Sequence, residues 1–208
     1  LPISHHHSPV NAFTCENGEL ISFNVLDVAW GLSGSEKNGP TLKALFFALE
    51  TIFRTQALPE HWNDQIPLFK KEVLLREALQ YFQVAMEEHH FDFTPGEKTF
   101  QVLNETLEMF SLGQTFNIIW RAARDAAAYF VREQIPKLQA ANSVVGNIQR
   151  YAQRAHASKW ELVSYRRDRR CPQSMISQVL FNSVLQIGDT YLDIRNASAE
   201  VRTEEVRA

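Results

Sequence analysis

The stretch QTFNIIWRAARDAAAYFVREQ, residues 114–134, decides the class of this chain. Phe116, Ile119, Trp120, Ala123, Ala127 and Phe130 recur every three or four residues, so one stripe of a long helix is apolar. Ala122, Ala123, Ala126, Ala127 and Ala128 carry nothing beyond Cβ and let a second helix approach closely. Pro136 has no amide proton and ends or kinks the helix.

The same period continues in both directions. Leu42, Leu45, Phe46, Leu49, Ile52 and Phe53 form a stripe that Pro40 and Thr41 open. Leu75, Ala78, Leu79, Phe82, Ala85 and Met86 predict a helix over residues 67–89. Thr94-Pro95-Gly96-Glu97 reads as a capping box with proline at the first helical position. It starts a helix whose apolar face is Phe100, Leu103, Leu107 and Phe110, and Gly113 is expected to stop it. Leu138, Ala141, Val145, Ile148, Ala152 and Ala155 predict a helix from Lys137 towards Tyr165. After a break at 166–172, Ile176, Val179, Leu180, Ser183, Ile187 and Tyr191 predict a last helix over 173–195. Residues 196–208 are charged and poor in apolar groups, which predicts a frayed tail.

The N-terminal part has a different period. Ile21, Phe23 and Val25 alternate with polar residues, and Asn17-Gly18 suits a two-residue turn, so Phe13–Val25 reads as a β-hairpin. A lone hairpin is marginal in water and needs something to pack on. The expected class is therefore α+β, mainly α, with an N-terminal β-hairpin or small sheet packed on a bundle of about five to seven helices. A single globular domain over 1–195 is expected, with the hairpin at 12–26 and the helical body at 40–195.

Composition narrows the function. The chain has 208 residues, 45% of them hydrophobic, with fourteen Phe and four Trp, so it can fill a real, aromatic-rich core. Its formal net charge of -3 gives no global attraction to nucleic acid or to anionic membrane. No apolar run approaches the roughly 20 residues that span a bilayer, so no direct membrane insertion is expected. No charged start precedes an apolar stretch, so no signal peptide is expected. Cys15 and Cys171 read as reduced and structural.

Motifs for chemistry are sparse. Glu87 and His90 have the Glu-x-x-His spacing that puts two metal ligands on one helix face. With Glu88, His89 and Asp92 around them they define the alternative reading, a helical metalloenzyme. That architecture needs a second such pair, and the sequence has none; Glu60, His61 and Asp64 offer further ligands from a loop. His5, His6 and His7 chelate metal in any exposed chain. Gly31-Leu-Ser33-Gly-Ser35 departs from a nucleophile elbow at its last position and is not followed by a helix. The expectation is no catalysis and no cofactor.

Charge and aromatic patterns point instead to contact with another protein. From Arg150 to Arg170 seven cations face two acids, a local net of about +5, whereas Glu77–Glu108 carries seven acids and one lysine, about -6. The densest run is Arg166-Arg167-Asp168-Arg169-Arg170. Such asymmetry steers a charged partner, or else one face of the molecule meets another. Trp30, Trp62, Phe91 and Phe93 lie in or beside irregular segments and read either as core lids or as interface anchors. The partner-binding candidates are these four aromatics with Arg166, Arg167, Arg169 and Arg170.

In size, mild acidity, hairpin-like start from Phe13 to Val25 and helical body, the chain resembles the LvgA-like adaptors of the Legionella Dot/Icm type IV secretion system. The resemblance implies a cytoplasmic non-enzyme, or one held at the inner-membrane face through the secretion complex. It implies docking on the IcmS–IcmW pair attached to the DotL C-terminal tail, and help in presenting effector proteins for export. No residue role transfers with it.

Overall fold

A computed structural model describes residues 62–195 continuously, the strand residues 2–4, 13–16, 19–23 and 30–32, and the helical residues Ala44, Phe47, Ala48, Thr51 and Ile52. The chain divides into two compact units, Leu1–Thr55 and Gln56–Ala208. Expectations for the Asn17-Gly18 turn, the 33–40 loop, His5–His7, Glu60, His61 and the tail fall outside the described residues.

The second unit is helical. Its elements are α1 (Gln65–Glu88), α2 (Glu97–Met109), α3 (Leu112–Glu133), α4 (Lys137–Ala157) and a short α5 (Met175–Gln178). α3 packs on α1 and α4, and α2 packs on the same two, so the four long helices form a ring around one core. Phe82, Leu103, Phe116, Ile119, Val144 and Ile148 are essentially inaccessible within it. The alanine-rich stripe of α3 does what its size dictates. Ala122, Ala123 and Ala126 are buried together with Ala140, Ala141, Ala152 and Ala155 of α4. No described helix is long and apolar enough to cross a membrane.

The expected α+β class is corrected. The core is drawn from the helices and the segment after α4, and no strand takes part in residues 62–195. In the first unit, β1 (Pro2–Ser4) pairs with β4 (Trp30–Leu32), and β2 (Phe13–Glu16) with β3 (Glu19–Phe23), as separate two-stranded antiparallel ladders. The physical reason is sufficiency: four amphipathic helices already bury each other's stripes, so no sheet is needed to close them.

Several helix ends also differ from expectation. Gly113 does not stop α2; it lies inside the first turn of α3. Ser111 accepts from the Gln114 amide while the Gln114 side chain accepts from the Ser111 amide, so Ser111-Leu-Gly-Gln114 is the capping box. The box expected at Thr94–Glu97 is absent, because Gly96 is the N-cap of α2 and makes no side-chain cap bond.

The C-termini of α1 and α4 share one device. His90 and Lys159 adopt left-handed φ of 56° and 49°. The Phe91 amide reaches Met86 O at 2.9 Å, and the Trp160 amide reaches Ala155 O at 3.0 Å. Both are Schellman endings without the usual glycine. α4 therefore ends at Ala157, and the helix expected to run on to Tyr165 gives way to an irregular segment.

The last expected helix is broken into three. α5 is followed by a π-turn, Val179–Val184, and a 3-10 turn, Gly188–Leu192. The wider turn brings Leu180, Phe181 and Ser183 inward, and Phe181 stacks on Tyr191 at 4.0 Å between ring centroids. Ile176, expected inward, is exposed.

Candidate interaction surface

The arginine run expected to face a partner is largely committed within the molecule. Glu77, on the buried face of α1, meets the Arg167 guanidinium. Arg167 Nη2 also donates to the Tyr191 hydroxyl at 2.6 Å, and Nη1 to Cys171 O at 3.1 Å. The Tyr191 hydroxyl in turn donates to Glu77 Oε2 at 3.1 Å. Glu77 is 4% exposed and Tyr191 2%. Burial works against the Arg167 charge, but the Tyr191 hydroxyl and the Glu77 carboxylate outweigh it and hold the guanidinium above its ordinary value. Burial likewise raises Tyr191. Glu77 Oε1 is left without a partner, so the network fixes geometry at some cost in solvation.

The neighbours of Arg167 are spent as well, though at the surface. Arg170 bridges Asp168 at 2.9 Å and Glu88 at 3.1 Å, and Arg166 meets Asp193 at 3.1 Å. The side-chain and backbone bonds from Arg170 hold the Asp168 carboxyl down at about 2. Arg169 is exposed and forms no ion pair among the described residues. The basic run and the acidic α1 therefore meet each other at Glu77 and Glu88.

Further contacts lay residues 162–165 across the start of α3. Gln114 Nε2 donates to Leu162 O at 3.2 Å, and Asn117 Nδ2 to Val163 O at 2.8 Å. The Tyr165 amide donates to Gly113 O at 2.9 Å. The approach is so close that a Cβ on Gly113 would lie 2.1 Å from Ser164 Oγ and 2.7 Å from Tyr165 O. Gly113 is a packing residue, chosen for its missing side chain rather than for a turn.

The aromatic candidates separate. Phe91 is 5% exposed, and half-buried Phe93 meets Phe82 edge-on at 5.6 Å, so both are core residues rather than surface anchors. Trp62 is half-buried beside the start of α1, and Trp30 lies in β4 opposite Ser4.

The metal pair does not assemble. The Glu-x-x-His geometry requires helical backbone through the histidine, and His90 is the left-handed residue just past α1. Both Glu87 and His90 are exposed, and no group of three potential ligands occurs among the described residues. Between α2 and α4 an open depression of about 580 Å³ is lined by Glu97, Lys98, Gln101, Val102 and Gln149.

A different surface emerges on the α3–α4 hairpin. Across the seam, Asn147 Nδ2 donates to Ala122 O at 3.4 Å and the Tyr151 hydroxyl donates to Asp125. Around these contacts stand Arg121, Arg124 and Arg150, with Arg154 one turn further along α4. Arg124 lies over the Trp120 ring at 4.9 Å and pairs with Asp125 at 2.9 Å. Arg150 donates to the neutral Asn147 amide oxygen. Partial burial pushes Asp125 up, but the Tyr151 and Arg124 hydrogen bonds and the Arg121 charge hold it below the usual carboxylate range. Arg121 and Arg124 thus act on one ionised carboxylate, and Arg150 stands on the facing helix beside Asn147.

At the tip of the same hairpin, Val131 is 73% and Leu138 65% exposed, and Phe130 and Ile135 are half-buried beside them. Arg124, Ala128 and Val131 fall at i, i+4 and i+7 and are all exposed, so charge and apolar tip share one face of α3. The sequence signal for this face was the pairing of Arg121 with Arg124 and of Arg150 with Arg154 at helical spacing. The denser run at 166–170 obscured it.

Compared with known proteins, the chain matches no family model, no curated protein and no solved structure.

Proposed function

We propose that this chain is a non-catalytic protein-binding adaptor or chaperone subunit of a larger assembly. The observation that carries the reading is the exposed apolar tip of the α3–α4 hairpin, Val131 and Leu138, continuous along α3 with exposed arginine. Apolar side chains next to charge on a rigid helical pair make an interface with a dry centre and a polar rim. Docking would remove the tip from water, and the arginines would set orientation and association rate. The resemblance to LvgA-like adaptors supports a specific assembly: the IcmS–IcmW pair on the DotL C-terminal tail, with secreted effectors as cargo.

The test is reconstitution. The full chain is mixed with purified IcmS–IcmW bound to the DotL tail and run on a sizing column with light scattering. Co-elution near one to one, lost in V131D/L138D with unchanged circular dichroism, supports the reading. Elution of the chain by itself overturns the secretion assignment. Unaltered co-elution of the double variant removes the tip from the interface.

A further inference from the structure

We infer that the arginine seam of α3 and α4 is a docking site for a short acidic peptide segment of a protein partner. The inference rests on the adaptor reading and names the chemistry of the partner. Its basis is charge complementarity with a defined geometry. Arg121, Arg124 and Arg150 surround a seam whose one carboxylate, Asp125, is held ionised by Tyr151 and Arg124. That leaves two positive charges on a fixed helical surface without a counter-charge in the seam. Arg121 makes no hydrogen bond or ion pair of its own among the described residues, and Arg150 bonds only a neutral amide.

The site is also preorganised. Arg124 is braced by the Trp120 ring beneath it and by Asp125 beside it, and Trp120 is held edge-on by Tyr165 at 6.1 Å. A guanidinium fixed in this way offers its remaining donors to a carboxylate with little further loss of freedom. Tyr151 and Trp120 are both half-buried, so each presents a partly apolar edge beside the charges. A carboxylate-rich peptide with an occasional apolar side chain matches that pattern.

Nucleic acid fits less well. A polyanion carries charge continuously past the patch. Here the opposite helices, α1 and α2, carry Glu87, Glu88, Glu97, Glu105 and Glu108, and the whole chain is net acidic. A short peptide needs only the local field.

Fluorescence anisotropy on the full chain tests this. The probe is a labelled ten-residue peptide of eight glutamates and two leucines; the controls are its glutamine counterpart and a labelled 12-nucleotide single strand. At about 50 mM salt the acidic peptide should bind, and binding should weaken about tenfold or more by about 300 mM. R121Q/R124Q/R150Q, and R150E alone as the gentler variant, should each weaken it at least fivefold, while R166Q/R169Q should change it less than twofold. Equal binding of the glutamine peptide, or unchanged binding in both seam variants, overturns the inference. Tighter binding of the oligonucleotide overturns it in favour of nucleic acid. The reconstituted co-elution is measured on the same proteins. Retained assembly with no peptide binding sinks the seam and leaves the adaptor, whereas loss of assembly in wild type sinks the reading beneath it.

Discussion

Two arginine-rich regions of this molecule have opposite fates. At 166–170 three of the four arginines turn inward or sideways onto carboxylates of the same chain, with Arg167 locked to buried Glu77 and Tyr191. On the α3–α4 seam only Arg124 pairs with a carboxylate, whereas Arg121 and Arg150 form no ion pair among the described residues. A charge run therefore does not indicate a partner surface until the acids facing it are known. The first region is architecture, because it ties the irregular C-terminal segment to α1. The second is surface.

The sharpest way to break this comparison is Arg167→Met. It leaves Glu77 buried without its counter-ion and should cost about 3–5 kcal/mol, read by urea unfolding. Arg150→Glu should stay within roughly 0.5 kcal/mol. Equal losses would erase the distinction. E77Q/R167M should recover much of the loss, because it removes the uncompensated charge.

Next in size is an alkaline effect at Tyr81, on the buried face of α1. Burial, aided by the Asp168 charge, pushes Tyr81 up to about 12. Its phenol therefore ionises first in the unfolded chain. The stability it contributes is complete below about pH 10 and is lost as pH rises through about 12, at most roughly 3 kcal/mol. Urea midpoints followed from pH 9 to 12 should fall, and Tyr81→Phe should flatten the slope. A slope unchanged in that variant would place the alkaline sensitivity elsewhere, for example at Tyr191.

Gly113→Ala probes the approach of residues 162–165 to α3. A Cβ there meets backbone oxygen as well as a side chain, so the segment must shift, at about 1–3 kcal/mol. Hydrogen exchange should quicken at Tyr165 and not at the α3–α4 seam. Combining the change with Ser164→Ala should relieve only part of the loss, because the Tyr165 oxygen remains.

The smallest effect is at the exposed rim. Asp168 sits at about 2 in the folded chain, so the stability it contributes is present above about pH 4 and is lost as pH falls through about 2. Carboxyl NMR should show that titration, and Arg170→Gln should move it towards about 3.9 with little change in stability near neutrality.

Particular residues show how far the sequence was legible. The stripes of α1, α3 and α4 follow directly from apolar spacing, and Ala78, Phe82, Phe116, Ile119 and Ile148 lie where that spacing puts them. The endings were less legible. Glycine or proline is the usual signal, whereas His90 and Lys159 take left-handed φ without it. Gly113 misled because a glycine that permits contact is indistinguishable, in sequence, from one that permits a turn. The Glu87–His90 spacing presumes a helix that His90, with its left-handed φ, has already left.

The sequence by itself determined a helical body, because a period of 3.6 residues is a local property that each segment declares alone. Only the tertiary structure decided which charges cancel. Glu77 and Arg167 are ninety residues apart, and their meeting depends on how α1, the end of α4 and the broken final helix pack together. It also decided how the four helical stripes of residues 62–195 close upon each other in one core. Electrostatic pairing acts through space, and the distances it depends on exist only in the folded chain.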